Sequence, residues 1–167
     1  MTYHVPVLAD EVVESLVTAR SGAYLDATSG GGGHCRAILG ALASDGRLYA
    51  VDRDNEAVSQ TAAATADSDR ISTYRGRFSD LAHVAMENEW PQLNGILFDL
   101  GMSSHQVDTA ERGFSYQTEG PLDMRMNRDS GNTAAELIES ASEVELATII
   151  KEFGEERGAR RIARSIC

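Results

Sequence analysis

An α/β fold built on a parallel sheet is predicted by three features of this sequence. Four short runs suited to strands, at residues 23–28, 48–51, 71–74 and 95–101, alternate with stretches of helical character. Strands and helices alternating at this spacing form right-handed βαβ units, and so a parallel sheet. Four consecutive glycines at 30–33 join the first strand to a helix, and Asp26, Asp52 and Asp99 lie at or near strand ends. Ligands on parallel sheets bind outside the carboxyl ends of the strands, so these three acids are expected to converge.

In chain order, Val12, Val13 and Leu16 after Asp10-Glu11 predict a first helix closed near Ser21-Gly22. The first strand and the glycine loop follow. A helix then begins near His34 and carries Ile38, Leu39 and Leu42. Asp45-Gly46 turns the chain into the second strand, which ends at Asp52. Asp54 is a good N-cap for an alanine-rich helix over roughly 55–66. After the third strand, Ser79 is expected to cap a helix running through Met86. The run Gly95-Ile96-Leu97-Phe98-Asp99-Leu100-Gly101 reads as a buried strand tipped by an acid.

After Ser104 the character changes, and residues 105–132 are polar and loop-like. Thr133-x-x-Glu136 and Ser142-x-x-Glu145 are capping boxes that open two short helices, the second ending at Gly154. A last helix from about Glu155 carries Arg157, Arg160, Arg161 and Arg164 beside Ile162 and Ile166. Length alone fits one domain, but this change divides the chain at 1–104 and 105–167.

The 167 residues can bury a substantial core, and 26 acids against 15 bases give a net charge of −11. That field does not draw a protein to nucleic acid or to an anionic membrane, so any such contact needs a local basic patch. Cys35 and Cys167 make no disulfide framework, which favours a reducing compartment and a cytoplasmic location. No apolar run is long enough to span a membrane, and the N-terminus lacks a basic segment followed by an apolar one, so neither membrane insertion nor a signal peptide is expected.

Glycines let a backbone approach a ligand because no Cβ stands in the way. Asp52, about twenty residues beyond Gly32, is placed to accept hydrogen bonds from ribose hydroxyls. The glycine run alone also fits a plain tight turn. Cys35 stands where a dinucleotide fingerprint has its third small residue, so an NAD site is the weaker reading. Asp99 is either a strand-end acid capping its own turn or an acceptor facing cofactor and substrate. His34 suits capping or packing better than base catalysis, and Phe78 is either core or a surface for an adenine ring. His4, His83, His105 and Cys35 show no metal-ligand spacing, so no metal is expected. The arginine-rich helix could meet phosphates, or be a solvated face paired with Glu152, Glu155 and Glu156.

The motif Asp26-x-Thr28-x-Gly30-Gly31-Gly32-Gly33 resembles the first motif of S-adenosylmethionine-dependent methyltransferases more than that of NAD enzymes. The chain as a whole closely resembles the bacterial 16S ribosomal RNA cytosine-N4 methyltransferases, the MraW or RsmH family. The resemblance is carried by His4-Val5-Pro6-Val7-Leu8, Asp26 to His34, Val51-Asp52-Arg53-Asp54 and Asp99 to Ser104. Further on it is carried by Glu111-Arg112-Gly113-Phe114-Ser115, Gly120-Pro121-Leu122-Asp123-Met124-Arg125-Met126 and Gly154-Glu155-Glu156-Arg157. It implies a class I, Rossmann-like methyltransferase fold with a helical domain inserted after the fourth strand. It also implies S-adenosylmethionine as cofactor and N4 of a cytidine in the decoding region of 16S rRNA, free or in the small ribosomal subunit, as target. Cofactor contacts of the family fall on Gly32, Gly33, His34, Asp52, Phe78, Asp99 and Gln106, and Asp99 is the candidate catalytic acceptor. Two positions depart from the pattern. His105 replaces a usual proline, which is expected to loosen its loop, and Gly158 replaces a larger residue. Family members continue for roughly as long again, so an N-terminal half is expected. Such a half could bind cofactor or RNA without turnover, and its sheet edge could pair two copies as a homodimer.

Overall fold

The structure is a computed structural model that describes residues 6–167; His4 and Val5 of the N-terminal motif lie outside the described residues. It forms two compact units, Met1–Gln106 and Val107–Cys167.

In the first unit, α1 (Ala9–Leu16), β1 (Ala23–Asp26), α2 (Gly33–Ala41), β2 (Arg47–Asp52), α3 (Asn55–Ala64) and β3 (Ile71–Arg75) follow in turn. A 3₁₀ turn at Phe78–Asp80 leads into α4 (Leu81–Glu87), then come β4 (Gly95–Leu97) and α5 (Ser104–Asp108), the last of which runs across the unit boundary. All strand pairs are parallel, in the order β3-β2-β1-β4. The order reverses between β1 and β4, and such a switch point opens a crevice at the carboxyl ends of the strands. One face of the sheet buries Tyr24, Leu48 and Ala50 with Cys35, Ile38, Leu39 and Leu42 of the α2 region. The other buries Leu25, Ala27 and Val51, with Tyr49, Tyr74, Leu81 and Trp90 packed around them. Apolar residues on both faces explain why the central strands read as continuous apolar runs.

Several boundaries differ from expectation, each for a local reason. α1 stops at Leu16, well before Ser21-Gly22. The buried Tyr24 hydroxyl accepts from Ala19 N at 2.9 Å and donates to Ala19 O at 3.0 Å, holding that segment out of the helix. Ser79 does not cap α4. Its hydroxyl donates to Asp80 at 2.9 Å, and Asp80 accepts the Arg77 N–H at 3.0 Å. β4 is short and not buried: Ile96, Phe98, Leu100 and Met102 are all exposed. Only its β1 side is paired, so this strand lies at the edge of the described sheet.

In the second unit, a 3₁₀ turn at Ala110–Arg112 and a long loop precede α6 (Ala134–Ser140), α7 (Glu143–Gly154) and α8 (Ala159–Ile166). Both predicted capping boxes form. Thr133 Oγ1 accepts from Glu136 N at 3.1 Å while Glu136 accepts from Thr133 N at 2.8 Å. Ser142 and Glu145 do the same at 3.3 and 2.9 Å. α8 begins four residues later than expected, because Glu155 takes a left-handed conformation (φ 51°) that closes α7. Leu146, Ala147 and Ala163 form the small core, with Ile138, Ala141 and Ile150 around them.

The buried Arg112 donates to the carbonyls of Arg125 and Met126 at 3.2 and 2.8 Å, shaping the 120–126 loop from within. Asp123 and Arg125 form a two-point pair at 2.8 and 2.9 Å. Those hydrogen bonds from the Arg125 guanidinium hold the Asp123 carboxyl down to about 2.

Candidate cofactor site

The site is built at the carboxyl end of β1. Asp26 is fully buried there. It accepts the Thr28 N–H at 3.1 Å, which ends the strand in an Asx-type turn, and it accepts the Cys35 thiol at 3.2 Å. Burial pushes the Asp26 carboxyl above the usual carboxylate range; burial and the Asp26 charge push the Cys35 thiol well up. Cys35 is thus a packed donor, not a reactive thiolate. The Thr28 hydroxyl lies 3.4 Å from Asp26 Oδ1 and accepts the backbone N–H of Asp99 at 2.7 Å. One threonine therefore ties the end of β1 to the acid that follows β4.

The glycine loop hangs from β2. Asp52 Oδ2 accepts the Gly30 N–H at 3.0 Å, and Oδ1 accepts the Asp54 N–H at 2.9 Å. Each oxygen keeps a further lone pair for a ligand hydroxyl. Thr61, fully buried on α3, donates to the carbonyls of Ser29 and Gly30 at 3.3 and 3.1 Å. Gly30 and Gly32 take φ of 52° and 80°, and a Cβ on Gly32 would stand 3.2 Å from Ala64 Cβ and Thr61 Cα. Only glycine fits Gly32 without strain. Burial raises the Asp52 carboxyl above its usual value, against the pull of its backbone donors.

His34 opens α2 and is buried. Its Nε2 lies 3.0 Å from the Val7 carbonyl oxygen, and its Nδ1 3.7 Å from Asp99 Oδ2. A carbonyl can only accept, so Nε2 carries the proton. Gln106 is also buried. Its amide donates to Asp54 Oδ2 at 3.0 Å and accepts from Ser103 N at 3.0 Å, binding the loop after β4 to the start of α3. Asp54 caps α3 through Glu56 N at 3.1 Å, as expected. His105 does not leave its loop loose: it lies in α5, with Nε2 3.5 Å from Glu56 Oε2. Phe78 is 53% exposed and meets Phe98 edge to face, the centroids 5.2 Å apart.

Gly30, Asp52, Asp54 and Gln106 thus form one hydrogen-bonded set, and Thr28, Asp99 and His34 lie together in a second. Phe78 stands on the β3–α4 connection against the residue that precedes Asp99. Sequence reasoning missed Thr61, Phe98 and the Gln106–Asp54 bond. Of these only Phe98 had a local signal, since Ile96 and Phe98 project to the same side of a strand.

The pattern that defines the MraW methylase family matches residues 1–167. The chain belongs to this family. It is 48% identical over 164 residues to the ribosomal RNA small subunit methyltransferase H of Nitrosococcus oceani, covering 98% of this chain and 52% of that protein. It is 51% identical over 164 residues to the protein of the same name in Idiomarina loihiensis, with the same coverages. It is 47% identical over 171 residues to that of Trichlorobacter lovleyi, covering 98% of this chain and 53% of the relative. The chain spans about half the length of the curated relatives it matches. With the MraW methylase match, the parallel β3-β2-β1-β4 sheet is a class I, Rossmann-like methyltransferase fold.

Proposed function

We propose that the chain binds S-adenosylmethionine at the carboxyl ends of β1, β2 and β4, within an enzyme that methylates N4 of a cytidine in the decoding region of 16S rRNA. The observation that carries this reading is the clasp of Asp52 onto Gly30. It sets a ribose-binding carboxylate beside a loop whose backbone a ligand can approach closely. The surroundings favour this cofactor over a dinucleotide. Asp26, Asp52, Asp54 and Asp99 crowd the site, with the His34 ring of α2 beside Asp99. Such a setting disfavours a pyrophosphate and suits a cationic sulfonium. When bound, S-adenosylmethionine supplies a methyl group on that positively charged sulfur.

The chain's own residues then have separate tasks. Asp52 accepts from the ribose hydroxyls, Gly32 and Gly33 admit the ligand next to the backbone, and the exposed ring of Phe78 offers a face to adenine. His34 and Gln106 shape the walls through Val7, Asp99, Asp54 and Ser103. Asp99 faces the cytosine amine and accepts from its N–H. Residues 105–167 begin the helical domain that meets the RNA, whether free or in the small ribosomal subunit, in the cytoplasm.

Asp52→Ala is expected to weaken cofactor binding by about 1–3 kcal/mol, the cost of leaving polar partners unpaired. Calorimetry giving an unchanged Kd removes Asp52 from the site. Cofactor affinity should also fall on acidification sooner than an ordinary aspartate would dictate. The raised folded-state pKa means that Asp52 takes up its proton at higher pH, and the protonated carboxyl has lost acceptor capacity. For the empty protein the sign is opposite. A raised pKa costs stability once the carboxyl ionises, and acidification through the folded pKa relieves that cost. A Kd flat down to the usual aspartate range would contradict the ribose role.

The open edge of β4, with Ile96 and Phe98 exposed, favours a second reading. In it the chain binds cofactor or RNA without turnover and pairs through this edge as a homodimer. A methyl-transfer assay on unmethylated small subunits, with sedimentation of the free protein, separates the two: transfer by a monomer removes the second.

A further inference from the structure

We infer that the arginine face of α8 is a docking surface for the phosphates of RNA, an inference that rests on the RNA-methylating reading above. Arg160, Arg161 and Arg164 stand on α8, and Arg157 lies on the turn before it; all four are exposed. The opposite side of the helix is fixed: Ala159 and Ala163 are buried, and Ala163 packs in the core with Leu146 of α7. The guanidinium groups therefore project from a helix whose rotation is set by its core.

The other arginines of this unit have structural work. Arg112 is buried on the loop carbonyls, Arg125 is paired with Asp123, and Arg128 lies 3.8 Å from the same carboxylate. On α8, Arg164 has one partner, Glu143 on α7, at 3.4 Å. Among the described residues, the side chains of Arg157, Arg160 and Arg161 make no hydrogen bond or ion pair. Glu155 and Glu156 precede them directly but form no ion pair with them among the described residues, and Glu156 is turned back onto Gly158 N. The arrangement expected of a purely solvated face, arginines paired with Glu152, Glu155 and Glu156, is thus not formed.

Two unpaired guanidiniums on one short helix, with a third on the turn before it, stand out in a protein of net charge −11. The overall field repels a polyanion, so RNA must be drawn by a local patch. Guanidinium forks match phosphate oxygens in two-point geometry, and they read backbone and not sequence.

The test is binding of a fluorescein-labelled, mixed-sequence single-stranded RNA of about 20 nucleotides, by anisotropy, between about 50 and 200 mM salt. Arg160→Gln with Arg161→Gln should weaken binding by about tenfold or more at the lower salt, lessen the slope of log K against log salt by about 1–2, and do so equally for unrelated sequences. Arg160→Lys with Arg161→Lys should keep most of the slope, because the charges remain. Glu143→Gln releases Arg164 and should tighten binding a few-fold, about the reach of one exposed ion pair. That gain cannot come from misfolding, so it decides the matter if the glutamine variant is unstable. An unchanged slope in a folded glutamine variant overturns the inference, as does a wild-type chain that fails to bind RNA or that binds poly-glutamate equally well. Cofactor affinity measured on the same samples reports separately on the methyltransferase reading. Its loss in every sample would sink that reading and leave the salt slopes to judge this one.

Discussion

Asp99→Ala is expected to slow methyl transfer about 100- to 1,000-fold, the usual effect of removing one group placed for developing charge. The amine on a cytosine ring is a poor nucleophile because its lone pair is delocalised into the ring. A site that accepts from its N–H groups turns the lone pair outward and stabilises the positive charge that grows as the new bond forms. Holding the amine in that orientation supplies much of the rest. Asp99 is 46% exposed on its side chain, and its own N–H is tied to Thr28 at 2.7 Å. Alanine keeps that backbone tether, so the loop should hold its course while the carboxylate is lost. The readouts are single-turnover transfer to unmethylated small subunits and cofactor affinity by calorimetry. A rate loss with affinity held within about threefold places Asp99 on the amine. Lost affinity with an unchanged rate at saturation confines it to the cofactor, and no change in either removes it from the site.

The sheet and the helix caps were legible in the sequence because their signals are local. Asp54, Thr133 and Ser142 accept from backbone groups two or three residues away, and these bonds are present. The strands at 23–28 and 48–51 were found through apolar residues that the two-faced core requires, and 71–74 through the β-branched and aromatic residues of Ile-Ser-Thr-Tyr. Some failures were local, as where Asp80 takes the Ser79 hydroxyl and the Arg77 N–H, but others depended on distant residues. α1 ends early because of a tyrosine on the next strand, and β4 is exposed because Ile96, unlike Leu97, packs on neither buried cluster of the sheet among the described residues. The three acids were expected to converge, but their different partners were not visible in the sequence. Asp26 is fully buried with Cys35 and Thr28 as its partners, whereas Asp52 accepts the Gly30 and Asp54 N–H groups and the Asp99 side chain is half exposed. Gln106 reaches Asp54 across 52 positions of sequence, a pairing that no short-range pattern reports.

Gly120→Ala is expected to cost the second unit about 3 kcal/mol or more, which for a chain of this length means roughly 6–12 °C in Tm. A Cβ at this position would overlap the Ala110 carbonyl oxygen and stand 2.8 Å from its carbon, so the obstacle is backbone and cannot rotate aside. Nor can the loop shift freely. Met124 N donates to Arg112 O at 3.0 Å, and Ala134 N and Ala135 N donate to Asp123 O and Leu122 O at 2.8 and 2.9 Å. Moving residue 120 disturbs the carbonyls that accept from the buried Arg112 Nη2 and the start of α6 together. The comparison is Gly131→Ala. Gly131 has φ of 85° but nothing within 4 Å of a Cβ, so only the left-handed strain applies, about 1 kcal/mol. Thermal unfolding should therefore rank the two variants far apart. Equal losses would mean that the Gly-Pro-Leu-Asp-Met-Arg-Met segment yields easily, and its tight sequence would then need a reason in RNA contact. A large gap makes it a loop whose residues are fixed by their own packing around Arg112.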